Sequence, residues 1–166
     1  GSGADAMTGG SGNDTYAVDN AGDTVSEASG NGIDTVHTGV SYTLAAGVEV
    51  ESLTSTGSGL SLTGNEFDQV VNGDAGNNTL TGAGGNDTID GGAGIDTAAF
   101  SGARSAYGIT WNGTTATVSG PDGTDTVTNA GKLSFASGGN VFLVSSSGDY
   151  ATIQAAIDAA DNGDTI

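Results

Sequence analysis

Cysteine is missing from this chain, which excludes a disulfide framework and any thiol chemistry. Stability outside a reducing compartment then has to come from elsewhere, and bound metal is the natural substitute. Basic side chains are almost missing too. Arg104 and Lys132 stand against 20 carboxylates in 166 residues, for a formal net charge of −18. Phosphate backbones need Lys and Arg partners, so nucleic acid is excluded, and an anionic membrane surface is disfavoured for the same reason. No apolar run approaches the roughly 18 residues a spanning helix requires, so direct membrane insertion is not expected, and no signal-peptide pattern is visible. Histidine occurs once, at His37, in a strand-like run beside Val36; it reads as an edge residue, and no Ser-His-Asp arrangement assembles around it.

What the chain has in quantity is glycine, 31 residues, and glycine-rich segments commonly read as linker or disorder. Here, however, the glycines fall at fixed places in phrases of nine residues: Gly9–Ala17 (GGSGNDTYA), then Gly64–Asn72, Gly73–Thr81, Gly82–Asp90 (GAGGNDTID) and Gly91–Ala99. Each phrase carries a polar residue at position six and an apolar residue at position eight. Position six is Asp5, Asp14, Asp23 and Asp34 in the first cluster, and Gln69, Asn78, Asp87 and Asp96 in the second. Position eight is Met7, Tyr16, Val25 and Val36, then Val71, Leu80, Ile89 and Ala98. A disordered acidic linker has no use for apolar residues in register, and self-similarity at a fixed short period is the mark of a solenoid. The chain opens on Gly1-Ser-Gly-Ala-Asp5, a phrase short of its first glycine, which reads as a cut from a longer protein.

These phrases resemble the RTX, or hemolysin-type, calcium-binding nonapeptide repeats, and the likeness touches most of residues 1–140. The resemblance implies an all-β parallel β-roll in which nine residues make half a turn, so loops eighteen residues apart stack on one edge. It implies Ca²⁺ ions between stacked loops, held by backbone carbonyls and by both position-six side chains, a sensible shell for a hard cation that takes six to eight oxygens. On that pattern Asp5 and Asp23, eighteen apart, share one ion. Asp14 and Asp34, twenty apart because Glu27-Ala28 is inserted, share another. Asp96 pairs with Asn78, and Asp87 with Gln69 or with neighbouring Asp68. Gly9, Gly10, Gly12, Gly73, Gly82, Gly84, Gly91 and Gly92 mark the loops whose carbonyls complete the shells. Asp19, Glu27, Asp74, Asp90, Asp122 and Asp125 are additional candidate ligands.

The remaining segments divide the chain into a first repeat cluster (1–37), an Asp-poor run (38–63), the second cluster (64–99), a capping segment (100–140) and the start of a following β-helix (141–166). Alternation in Val40–Leu44, Val48–Val50 and Leu60–Leu62 predicts strands. Leu53-Thr-Ser55 puts a serine where an apolar residue is expected, predicting a weaker rung. Tyr107–Trp111 and Thr115–Val118 around Asn112-Gly113 predict a β-hairpin whose aromatics cover the solenoid edge. Arg104 and Lys132 are expected to pair with local carboxylates. Tyr150–Asp161 shows helical spacing after a capping Asp149, and the phrase YATIQAAIDAADNGDTI resembles the capping helix and first strand of pectate-lyase-like right-handed β-helices.

The functional expectation is a non-catalytic, calcium-binding module that folds on binding metal in a secreted bacterial protein, exported by type I secretion as RTX proteins generally are. Evenly spaced carboxylates suit metal better than general acid–base catalysis. Two rivals stand beside it: an accessory module of an extracellular polysaccharide lyase or epimerase whose catalytic β-helix lies elsewhere, and a spacer in an adhesin or surface-layer protein that self-associates.

Overall fold

Thr-apolar-polar triplets recur through the repeats, and β-branched residues flanking one inward side chain suit a short strand buried on one face. A computed structural model describes the chain except residues 29, 31, 145–149, 151, 153–155, 157 and 158. It is an all-β parallel solenoid, a β-roll. In chain order its strands are β1 (Ala6–Thr8), β2 (Thr15–Val18), β3 (Thr24–Ser26), β4 (Thr35–Thr38), β5 (Tyr42–Thr43), β6 (Ser52–Ser55), β7 (Ser61–Thr63) and β8 (Val70–Asn72). There follow β9 (Thr79–Thr81), β10 (Thr88–Asp90), β11 (Thr97–Ala103), β12 (Gly108–Trp111), β13 (Thr115–Gly120), β14 (Gly123–Thr128), β15 (Lys132–Ser137) and β16 (Val141–Phe142).

As far as β11, successive strands alternate between opposite sheets. One sheet has the order β12-β13-β14-β10-β8-β6-β4-β2; the facing sheet runs β16-β15-β11-β9-β7-β5, with the pair β1-β3 separate. Register follows position eight. Tyr16, Val36, Leu53, Val71, Ile89 and Val127 align across one sheet. Tyr42, Leu62, Leu80, Ala98 and Leu133 align across the other. All are buried, several completely. Each apolar side chain thus stacks on its copy one turn away, so the core is a double ladder rather than a globular centre.

Departures from the sequence-based expectations have local causes. Val48 and Val50 are buried, but 48–50 is not a strand: the Val50 amide donates to the Val48 carbonyl at 3.1 Å, a tight bend. Asn65 seals that bend by donating its side-chain amide to Val48 O at 2.7 Å and Ala45 O at 2.9 Å. Ser55 is buried without leaving an open bond, because its hydroxyl donates to Gly57 O at 2.7 Å. The hairpin forms as β12–β13, but Trp111 pairs with Ala116, so its turn centres on Gly113-Thr114, one residue late. Gly113 has φ 97°, which suits glycine.

Beyond the hairpin the roll resumes. β14 pairs parallel with β10, and β15 parallel with β11. Phe100, Tyr107 and Phe135 pack together there with ring centroids 5.2–5.4 Å apart. Arg104 sits over the Phe135 ring, 5.5 Å from its centroid, and donates to Tyr107 O at 2.9 Å. Among the described residues no salt bridge joins Arg104 or Lys132 to a carboxylate, contrary to expectation; the guanidinium is held by an aromatic face and a carbonyl instead. His37 is exposed on the outer face of β4. The expected helix at Tyr150–Asp161, with its Asp149 cap, falls largely outside the described residues. Thr165 bridges Val141 in parallel, consistent with the expected strand at 164–166. No helix among the described residues is long and apolar enough to cross a membrane.

Candidate metal centres

Each position-six residue immediately precedes a strand, so stacking the strands stacks these residues. The side chain of one reaches the backbone amide of the residue one turn earlier. Asp5 N donates to Asp23 Oδ1 at 2.9 Å and Asp14 N to Asp34 Oδ1 at 2.7 Å. Gln69 N donates to Asp87 Oδ1 at 2.8 Å and Asn78 N to Asp96 Oδ1 at 2.6 Å. The structure therefore places together the pairs that the spacing suggests. Asp68 does not enter the stack: it is exposed and accepts the Asn86 amide at 2.6 Å, leaving Gln69 as the buried partner.

Two members lie outside the nine-residue phrases: Glu51, which is not among the additional candidate ligands, and Asp125, which is. Glu51 takes the position-six place before β6 and accepts the Asp34 amide at 2.6 Å. Asp125 does so before the inward strand residue Val127 and accepts the Asp87 amide at 2.9 Å. A Thr-Asp-Thr-Val phrase at 124–127 signals the second; nothing in the local pattern signals the first.

The loops fall into two kinds, distinguished by position two. In 18–23, 64–69 and 73–78 the position-two amide closes onto the position-six side chain: Asp19 N to Asp23 Oδ2 at 3.1 Å, Asn65 N to Gln69 Oε1 at 3.1 Å, and Asp74 N to Asn78 Oδ1 at 2.9 Å. In 9–14 and 82–87 position two instead has positive φ, 103° at Gly10 and 79° at Ala83. Asp14 Oδ2 and Asp87 Oδ2 are then buried with no hydrogen-bond donor. Loop 91–96 shares the turn, with Gly92 at φ 88°. Asp90 and Asp122 are engaged elsewhere, Asp90 with the Gly92 amide at 3.0 Å and Asp122 with the Tyr107 hydroxyl at 2.5 Å.

Carboxylates crowd most at the Glu27 insertion. Asp14, Glu27 and Asp34 bring one oxygen each within 4.8 Å of one another, with Glu27 and Asp34 buried. The Tyr16 hydroxyl donates to Glu27 Oε2, and burial followed by that bond raises the phenol's pKa. Gly9 leaves the space beside the cluster open, since a Cβ there would lie 2.5 Å from Asp14 Oδ2 and 2.6 Å from Glu27 Oε2. Among the described residues no Lys or Arg is in salt-bridge range of these groups. Each like-charge pair costs about 3 kcal/mol at an effective dielectric near 20. An oxygen-only set of carboxylates, two of them buried and the third holding a buried oxygen that lacks any donor, fits a hard divalent cation.

Protonation reports the same contrast. Asp23, whose oxygens accept the amides of Asp5, Asn20 and Asp19, is held below the ordinary carboxylate range, first of all by the Asp5 amide. Asp87 is pushed up to about 7 by burial, against the opposing Gln69 amide and with help from the charges of Asp125 and Asp68. Between its ordinary 3.8 and about 7 the folded chain keeps a proton that the unfolded chain releases. The ion-free fold is then most stable below the lower value and loses that contribution as pH rises towards the upper one. In EDTA, circular dichroism should show more β-structure at about pH 5 than at about pH 8, an ordering that would be reversed if Asp87 were stabilised as the anion.

Comparison with known proteins agrees with this geometry. RTX calcium-binding nonapeptide repeats match residues 1–25 and 63–98 in four copies. The fold and the stacked acidic loops define a calcium-binding β-roll, and these two segments are RTX repeats, which bind calcium ions. The chain is also similar to the endo-1,3-1,4-beta-glycanase ExsH of Rhizobium meliloti (strain 1021), 44% identical over 73 residues. That stretch is 44% of this chain and 15% of the relative, so the chain spans a small part of it. No solved structure matches.

Proposed function

We propose that the chain is a structural module that calcium folds, with ions seated between stacked loops of an extracellular, secreted protein. The observation that carries this is the convergence of Asp14, Glu27 and Asp34 on one point, with no basic partner among the described residues. Asp5/Asp23, Gln69/Asp87 and Asn78/Asp96 form the further rungs, with loop carbonyls completing each shell. Of these, the Asp14 and Asp87 loops bind most strongly, because their Oδ2 atoms have no amide to displace. At Asp23 three backbone amides already neutralise the carboxylate, so an ion there gains less. Low calcium inside the cell would leave the chain unfolded for export, and calcium outside would fold it.

A second reading, an accessory module of an enzyme acting on extracellular polysaccharide, is favoured by the similarity to a protein named as a glycanase. The two are compatible, since a calcium-folded roll can serve such an enzyme as a rigid appendage. Calorimetric titration tests the shared core: Ca²⁺ should bind at several sites per chain, while Mg²⁺, which demands tight octahedral geometry and sheds water reluctantly, should give little heat. Equal binding of both ions would point to diffuse counter-ion attraction and remove the proposal.

A further inference from the structure

Charge is divided unevenly along this chain. Residues 1–96 hold 14 carboxylates and neither Lys nor Arg, whereas residues 97–121 hold no carboxylate and include Arg104. That stretch supplies β12, which ends the eight-stranded sheet with β13 on one side and no strand on the other. An unpaired edge offers its amides and carbonyls to another strand, and proteins usually guard it with charge, proline, shortness or a cover. The other ends of the two larger sheets are guarded: β2 lies between Asp14 and Asp19, β5 has two residues, and Thr165 bridges β16 at Val141. β12 reads Gly-Ile-Thr-Trp and has none of these devices.

The hairpin fixes which groups face outward. Asn112 N donates to Thr115 O at 3.2 Å, so Asn112, Thr110 and Gly108 are the residues that exchange hydrogen bonds with β13. Ile109 and Trp111 therefore direct their N–H and C=O away from it. Side chains alternate as well: Ile109 and Trp111 are half-buried against the core, while Thr110 is exposed on the outer face.

This pattern is self-complementary. Laid antiparallel on its own copy with Thr110 on the two-fold axis, β12 sets Ile109 opposite the partner's Trp111 and Trp111 opposite the partner's Ile109. Each pair exchanges two hydrogen bonds, and every outward group of Ile109 and Trp111 is satisfied. Aromatic and β-branched side chains meet on the inner face and two threonines on the outer one, cross-strand pairs that favour a sheet. A slip of one residue would set bonding groups against non-bonding ones. Charge permits the approach. Along the sheet the first carboxylates met are Asp122 and Asp125, at β14, two strand spacings from β12. Five spacings would separate Asp125 from the partner's Asp125, about 24 Å, against a screening length of about 8 Å at physiological salt.

We infer that β12 is a dimerisation edge, at which two copies of this chain pair β12 to β12 antiparallel and join their eight-stranded sheets into one continuous sheet. The occupant is a second copy because the free groups, the side chains and the register all match under a two-fold axis, and because this is the stretch where two strongly acidic chains meet without facing carboxylates. The contact needs a folded hairpin and calls for no ion of its own.

Analytical ultracentrifugation of the full chain over a concentration series in excess Ca²⁺ tests this. The wild type should pass from the 15.9 kDa of one chain to twice that mass, and amide hydrogen exchange at Ile109 and Trp111 should slow in step. Ile109→Pro removes an outward amide that β13 does not use, keeps the hairpin's own ladder, and should abolish the dimer. Thr110→Lys puts like charges opposite each other on the axis and should weaken association about fivefold. Ser61→Lys, the same charge change at an exposed position of β7 in the facing sheet, should dimerise as the wild type does. A folded wild type that stays monomeric at every concentration overturns the inference, as does a dimer that survives Ile109→Pro with the Ile109 and Trp111 amides of the wild type exchanging freely. Should Ile109→Pro fail to fold, Thr110→Lys, altered where the monomer is exposed, decides in its place. Calcium-driven folding without dimerisation strikes this edge and leaves the calcium reading; dimerisation of a chain that binds no calcium does the reverse.

Discussion

Treated with EDTA at neutral pH and low salt, the protein should lose most of its β-sheet circular dichroism and regain it when Ca²⁺ is restored in excess. The reasons are additive. A net charge of −18 opposes compaction, and 31 glycines make ordering the chain entropically costly. The core that compensates is narrow, one inward side chain per strand in much of the roll, so apolar burial per residue is modest. Against this, the stacked loops concentrate carboxylates at short range, and their repulsion survives until a cation intervenes. Because the site is built only when the loops are stacked, ion-binding free energy appears as folding free energy. Retention of the full signal in EDTA would show that the ladders of Leu, Val and Ile suffice alone.

Replacing Asp14 and Asp34 together by alanine should raise the calcium concentration at the folding midpoint by about tenfold or more, on the scale of losing ligands rather than outer-shell groups. Asp14 supplies the oxygen with no donor, and Asp34 both a charge and the acceptor for the Asp14 amide. Their loss leaves Glu27, tied to Tyr16, as the remaining carboxylate of the group. Replacing Asp5 and Asp23 instead should shift the midpoint less, since Asp23 is already served by three amides. An equal shift in the two double variants would contradict the distinction between open and closed loops.

Much of this was legible in the sequence because the period is carried by side chains with one job each. Val36, Val71 and Ile89 show the register directly, and the twenty-residue step from Asp14 to Asp34 shows where the two extra residues lie. What was hidden depends on backbone geometry or on distance along the chain. Val48–Val50 alternates like a strand, yet its amide bonds close locally, and side-chain alternation cannot distinguish the two. Glu51 fills a position-six place without the phrase around it. Asp125 stacks on Asp87 only after a hairpin has been folded out of the way, so no fixed period connects them. The difference between open and closed loops turns on φ at Gly10 and Ala83, and an alanine with positive φ is not foreseeable from its type.

Diffraction from calcium-form crystals, collected for the anomalous signal of the ion, addresses the central claim most directly. The account predicts ions between successive loops, strongest among Asp14, Glu27 and Asp34, each ringed by carboxylate and carbonyl oxygens. Well-ordered loops at full calcium saturation, with no ion between them and the carboxylates satisfied by water or protons, would contradict it.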